Sequence, residues 1–391
     1  VGWVADFSRY YYELCDMKII ADENIPAIKQ YFGGGNELIL KHGRDISRLD
    51  LLDADALLVR SVTPVNSALL HDTPVKFVGS VATGIDHLDT TWLNQANIAW
   101  YAARGFNAVA VMEYVIAVVA ALQKSGCVPL HALRVGVIGV GTIGKLVVEK
   151  LKLLGCDVIQ CDPFRARAES GFAGVALADL HDLDLVTVHT PLTHHGDFPT
   201  FHLIGQDFLQ RQKKNCVLIN TARGAVVDFA ALKQWGKDLF WCLDVWENEP
   251  LIDLDVLGSA KIATPHIAGY SVQSKLFGVQ MLYEAACKQN IISRAKIDIV
   301  PRNKKIILFQ GRTVSWRDVV LRIFDPSELT KVMRKVLHEN ASGQTFDDLR
   351  KHFNGRYEFS NVEVCDVRLG NEDRKILDLL GVSSSSLALC C

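Results

Sequence analysis

Residues Arg134-Val135-Gly136-Val137-Ile138-Gly139-Val140-Gly141-Thr142-Ile143-Gly144, read as RVGVIGVGTIG, decide the fold. A strand-like apolar run enters a G-x-G-x-x-G turn, and the helical stretch Lys145 to Leu154 follows at once. Gly139 permits the tight turn, Gly141 lets a pyrophosphate approach the backbone, and Gly144 lets the helix pack close to its strand. Free N–H groups and the positive end of the helix dipole favour phosphate there. The next strand ends in Cys161-Asp162-Pro163, with Asp162 eighteen residues beyond Gly144. A carboxylate at that place accepts hydrogen bonds from ribose hydroxyls and repels a 2′-phosphate, so NAD is favoured over NADP. Arg165 and Arg167 lie just beyond and weaken that preference.

Outward from this turn, short β-branched or Leu-rich runs alternate with longer amphipathic ones. Strands are expected at Lys18 to Ala21, Ala56 to Val59, Lys76 to Gly79, Arg134 to Ile138 and Val158 to Cys161. Further strands are expected at Leu185 to Val188, Cys216 to Ile219, Trp241 to Leu243 and Lys261 to Ala263. Strands spaced by helix-sized segments indicate βαβ units and parallel sheets, hence an α/β fold. The stretch Ala108 to Lys124 and the loop Ser125 to Leu133 separate two groups of strands. The rhythm fades after the long helical stretch Val272 to Gln289. The resulting division is an N-terminal extension at 1–16, a first domain at 17–108 and 265–299, a dinucleotide-binding domain at 109–264, a small α+β domain at 300–380 and a tail at 381–391.

The chain has 391 residues, 42 Lys+Arg against 44 Asp+Glu, and a formal charge of −2, so no overall basic field points to nucleic acid. The longest apolar run, Val109 to Leu122, is interrupted by Glu113 and is shorter than the ~18 residues of a membrane span. It reads as a buried helix. Ten cysteines without a CxxC pair fit reduced thiols in a cytosol better than a disulfide framework. No metal site is expected, since His194-His195 lacks a second ligand pair.

Three further segments follow expected strands, where open α/β sheets bind ligands. They are Asn220-Thr221-Ala222-Arg223-Gly224, Asp244-Val245-Trp246-Glu247-Asn248-Glu249-Pro250 and Thr264-Pro265-His266-Ile267-Ala268-Gly269-Tyr270. Arg223 offers a donor fork for a carboxylate, His266 exchanges a proton near neutral pH, and Glu249 orients the imidazole and stabilises its cation. Taken singly, each has an ordinary explanation as a surface ion pair, a turn cap or a satisfied buried histidine. Together they are equipment for oxidising an alcohol beside a carboxylate. Arg60-Ser61 and Thr83-Gly84 also follow expected strands and suit an anionic group, and Arg60 is the candidate for a phosphate.

The segments VGVIGVGTIG, CDP, HTPL, INTARGAVVD, DVWENEP and TPHIAGY resemble those of the D-isomer-specific 2-hydroxyacid dehydrogenases, from Met17 over nearly the whole chain. The resemblance implies a Rossmann domain for NAD, a flavodoxin-like substrate domain that serves as a lid, and a C-terminal domain that builds a homodimer. It implies catalytic roles for Arg223, Glu249 and His266. It also implies cofactor contacts from Gly139, Gly141, Thr142, Ile143, Gly144, Asp162, Thr190, Thr221, Ala222, Arg223, Asp244 and Gly269. Substrate contacts fall on Ser61, Thr83 and Tyr270, with Thr83 in a glycine loop, Ser80 to Gly84, that departs from the family pattern. The C-terminal FDDLRKHF, followed by Tyr357-Glu358-Phe359, is absent from the general family and indicates a narrower subgroup. A small phosphorylated 2-hydroxy acid is the implied substrate. The rivals are another D-2-hydroxy acid such as 3-phosphoglycerate, and an NADH-sensing regulator of the kind found among eukaryotic corepressors. The intact Arg, Glu and His argue against the regulator.

Overall fold

A computed structural model of the chain describes residues 17–129, 131–295, 304–353 and 355–385. The expected extension at 1–16 and most of the expected tail lie outside the described residues. The chain packs as two compact units, Val1–Phe106 with Lys275–Val300, and Asn107–Ser274 with Pro301–Cys391.

The first unit is built on five parallel strands: β1 (Lys18–Asp22), β2 (Glu37–Lys41), β3 (Ala56–Val59), β4 (Phe77–Ser80) and β5 (Ala99–Ala102), in the order β2-β1-β3-β4-β5. Alternate residues feed opposite faces, as the pleat requires. Ile19, Ala21, Leu58 and Phe77 enter one apolar cluster with Val279, Leu282 and Tyr283, while Ile20, Leu57, Val59 and Val78 enter another with Leu70 and Leu93. Burial on both faces explains why β3 and β4 read as unbroken apolar runs in the sequence. The edge strands β2 and β5 were not expected. They are partly exposed, so their sequences carry no continuous apolar signal.

The second unit holds six parallel strands: β6 (Arg134–Ile138), β7 (Asp157–Cys161), β8 (Leu185–Val188), β9 (Val217–Asn220), β10 (Phe240–Leu243) and β11 (Ile262–Ala263). Their order is β11-β10-β9-β8-β6-β7, so the strand order reverses beside β6, where a doubly wound sheet opens its binding crevice. The helix Ala108–Lys124 is buried along nearly its whole length, as the apolar run requires. No helix among the described residues is long and apolar enough to cross a membrane.

The C-terminal segment has a three-stranded sheet of its own and packs within the second unit. Its sheet, β12 (Lys305–Thr313), β13 (Val362–Arg368) and β14 (Ser383–Ser385), is parallel. Trp316, Val319, Val320 and Phe359 join the same apolar cluster as Tyr114, Val118 and Val135. Arg356 crosses to Glu113 of the buried helix at 2.6 Å, and Glu113 also accepts the Phe359 N–H at 2.7 Å. The second compact unit runs to Ser274 and the first resumes at Lys275, inside the helix Val272–Lys288. Among the described residues, Cys127, Cys156, Cys161, Cys216, Cys242 and Cys287 carry free thiols.

Candidate active site

The glycine turn after β6 has the backbone that its sequence demanded. Gly139 has φ +83°, and a Cβ on Gly144 would meet the Gly139 carbonyl oxygen at 2.0 Å, while Gly141 faces open space. Val140, Gly141, Thr142, Lys145, Asp162 and Arg165 contribute to the lining of a cavity of about 640 Å³ beside the first turn of the helix Thr142–Leu153. Asp162 accepts the Arg165 N–H at 3.0 Å and the Val140 N–H at 2.9 Å. It is therefore a helix cap as well as a ribose candidate, and its two oxygens keep further acceptor capacity. Arg165 is held by Glu169 at 2.5 Å and lies over the Phe172 ring, and Arg167 is paired with Asp197 at 2.6 Å. Both guanidinium charges that weakened the NAD preference are thus neutralised locally. The Thr190 hydroxyl, just past β8, is buried without a hydrogen-bond partner. An orphaned hydroxyl beside the switch point and an open glycine cradle fit a dinucleotide.

At the ends of β9, β10 and β11 the three expected loops come together. Asn220 fixes the first loop by accepting the Ala222 N–H at 3.0 Å and donating to the Arg223 carbonyl at 2.9 Å. Gly224 is required there, since a Cβ would meet the Trp246 backbone at 1.9 Å. Thr221 meets His189, whose other ring nitrogen meets Thr187. Burial pushes the His189 imidazole down to about 3, so it stays neutral. His189 was not singled out from sequence, because nothing in HTPL distinguishes a supporting histidine from a reacting one.

His266 has φ +56°, a left-handed conformation that a non-glycine residue adopts only when its surroundings hold it. The hold comes from Asp244, 1% exposed, which accepts the Thr264 hydroxyl and the N–H groups of Ile267 and Ala268 at 2.7–2.9 Å. Burial raises the Asp244 carboxyl, against the lowering effect of His266 and these hydrogen bonds. Asp244 was expected among the cofactor contacts, and its carboxylate is engaged in anchoring the histidine loop. Tyr114 and the Trp246 indole brace Thr264 from either side.

The His266 Nδ1 lies 2.7 Å from Glu249 Oε2, and Glu249 Oε1 accepts the Trp246 N–H at 2.8 Å. Burial alone would raise the Glu249 carboxyl; His266, Arg350 and the Trp246 N–H together hold it below the ordinary range. A carboxylate fixed on Nδ1 orders the proton there and leaves Nε2 as the nitrogen able to exchange one. Gly269 passes close to Asn107, and the Tyr270 hydroxyl accepts from Arg350 at 3.3 Å. Arg350 was missed by sequence reasoning. It sits 80 positions beyond Tyr270, and only the unusual FDDLRKHF segment marked its neighbourhood.

The substrate candidates of the first unit follow β3 and β4. Ser61 is exposed, and Thr83 is half-buried in the loop after Ser80, whose hydroxyl meets His87 at 2.8 Å. Arg60 donates to the fully buried Asp22 at 2.8 Å, and its charge bears on the partly buried Lys275, whose ammonium is lowered by burial and then by Arg60. Among the described residues no cluster of three or more His, Cys, Asp or Glu is placed to hold a metal.

A doubly wound sheet with a glycine cradle and a carboxylate-backed histidine facing an arginine loop defines the class. Residues 116–268 match the family described as "D-isomer specific 2-hydroxyacid dehydrogenase, NAD binding domain". Solved structures agree at the level of the fold: 3-phosphoglycerate dehydrogenase of Entamoeba histolytica with bound NAD+ is 22% identical, covers 73% of this chain and 99% of its own, and has a TM-score of 0.59. The NAD complex of a formate dehydrogenase from Staphylococcus aureus gives the same TM-score, identity and coverages. Among curated proteins, "Erythronate-4-phosphate dehydrogenase" of Coxiella burnetii is 44% identical over 352 residues, 89% of this chain and 95% of the relative. The protein of that name from Cellvibrio japonicus is 39% identical over 93% of this chain and 99% of its own. The chain belongs to the erythronate-4-phosphate dehydrogenase family.

Proposed function

We propose that this protein oxidises 4-phospho-D-erythronate at C2 with NAD, giving (R)-3-hydroxy-2-oxo-4-phosphooxybutanoate, a step of pyridoxal 5′-phosphate biosynthesis. The observation that carries this reading is the 2.7 Å His266–Glu249 pair in a chain so similar to its curated relatives. NAD, when bound, accepts the C2 hydride. Gly139, Gly141, Thr142, Ile143 and Gly144 hold the pyrophosphate, Asp162 takes a ribose, and Thr190, Thr221, Ala222, Arg223, Asp244 and Gly269 complete the cofactor side. Arg223 fixes the substrate carboxylate and the oxygen on C2. His266 removes the C2 hydroxyl proton through Nε2, and ionised Glu249 stabilises the imidazolium that results. Ser61, Thr83, Tyr270 and Arg60 are assigned to substrate, Arg60 to its phosphate. The protein acts in the cytoplasm as a homodimer, a state that light scattering on the purified chain tests directly.

The deciding experiment follows NADH formation from 4-phospho-D-erythronate and NAD, with a 2-keto acid supplied in parallel reactions to recycle retained NADH. 3-Phosphoglycerate is the comparator. Preference for 4-phospho-D-erythronate is expected. Preference for 3-phosphoglycerate keeps the mechanism and overturns the substrate, while NADH binding without turnover of any D-2-hydroxy acid replaces the enzyme by a sensor.

A further inference from the structure

Arg350 lies on the helix Gly343–His352, outside the residues 116–268 that the family model matches. Its side chain is only 14% exposed, and its Nε is buried with no hydrogen-bond partner. A guanidinium has five N–H donors, and burying it costs heavily unless they are met. Here one Nη donates to the neutral Tyr270 hydroxyl at 3.3 Å, and the carboxylate of Asp347 stands at 3.8 Å, beyond hydrogen-bonding distance. Against the lowering effect of burial, Tyr270 and Glu249 act on its charge and raise its proton affinity.

A buried cation with so few acceptors, directed at a substrate-contact tyrosine, has the chemistry of an anion site awaiting its anion. Resting on the function proposed above, we infer that Arg350 binds the phosphate of the substrate, together with the Tyr270 hydroxyl. The substrate carries two anionic ends. Its carboxylate must sit at the carbon being oxidised, beside Arg223, and a phosphate of nearly two negative charges calls for more than one cation, so it is the anion left for Arg350 in addition to Arg60. The C-terminal segment thereby becomes a determinant of specificity, discriminating phosphorylated from unphosphorylated 2-hydroxy acids.

The test compares the wild type, Arg350→Gln and Arg350→Lys on 4-phospho-D-erythronate and on D-erythronate, and measures inorganic phosphate binding by calorimetry in each. Arg350→Gln is expected to lower kcat/KM for the phosphorylated acid about 100-fold, the scale of an unpaired buried charge partner. D-erythronate is expected to lose far less, so that the ratio of kcat/KM for the two acids falls at least about tenfold, with Lys intermediate because a point charge replaces the fork. Phosphate binding should weaken in parallel. An equal loss on both substrates, or a shifted pH profile with unchanged phosphate binding, makes Arg350 a positioning residue and overturns the inference. Unchanged kinetics overturn it too. Failure of the wild type to oxidise the phosphorylated acid counts against the proposed function alone, because the phosphate titration still decides what Arg350 binds.

Discussion

Two carboxylates in the second unit hold nitrogen partners at almost equal distances and in opposite surroundings. Glu249 meets His266 at 2.7 Å, and Glu113 meets Arg356 at 2.6 Å. The first pair is 21% and 31% exposed, and the second only 2% and 3%. Burial pushes the Glu113 carboxyl up to about 7 in spite of Arg356, whereas Glu249 is held low despite its burial. The difference lies in what surrounds each carboxylate. Glu249 has His266, Arg350 and a backbone donor around it and opens toward solvent, so it keeps its charge ready for an imidazolium. Glu113 lies in an apolar helix, where Arg356 and the Phe359 N–H bind it at a large desolvation cost. One pair is a tool, and the other fastens the C-terminal segment to the buried helix.

Replacing members of each pair should separate these roles. His266→Asn is expected to lower kcat by about 10³-fold or more through loss of the general base, with NAD affinity and thermal stability nearly unchanged. Comparable turnover in a stopped-flow assay would contradict the assignment. Glu113→Ala leaves a buried guanidinium uncompensated and should cost about 3–5 kcal/mol of stability in chemical denaturation, while the protein that remains folded keeps its kcat. If kcat fell instead and stability held, the contrast between the pairs would collapse. Glu249→Gln preserves shape but not charge, and about a 10²-fold loss of kcat is expected with KM little changed.

The smallest effect concerns His189, which supports Thr221 from a buried position. Its folded value of about 3 lies below the ordinary 6.5, so between these values the unfolded chain binds the extra proton. The stability it confers is full above pH 6.5 and is lost as pH falls toward 3. At pH 5 the loss should be roughly 1–2 kcal/mol, and His189→Gln should flatten that part of the stability profile. A profile identical to the wild type would show that His189 is protonated in the folded state.

Much of the site is legible in the amino-acid sequence. Gly139 to Gly144, Asp162, Arg223, Glu249 and His266 announce themselves because each lies in a contiguous motif at a strand end, where the backbone fixes what the side chain can reach. Arg60 is legible as a cation, but its tie to Asp22 is not, since β1 and β3 bring the two together across 38 positions. The cap role of Asp162 is half visible beside the ribose role expected of it, because a carboxylate before proline reads as either.

Periodicity and glycine spacing determined the parallel sheets and the glycine turn and pointed to the candidate catalytic residues, since these depend on local backbone geometry and on chemistry that a few adjacent residues carry. Tertiary structure decided that the C-terminal segment joins the second unit, that Asp244 anchors the strained His266, and that Arg350 reaches Tyr270 from 80 positions away. Those outcomes depend on which buried charges find partners. That depends on non-local packing, which leaves no period in the sequence.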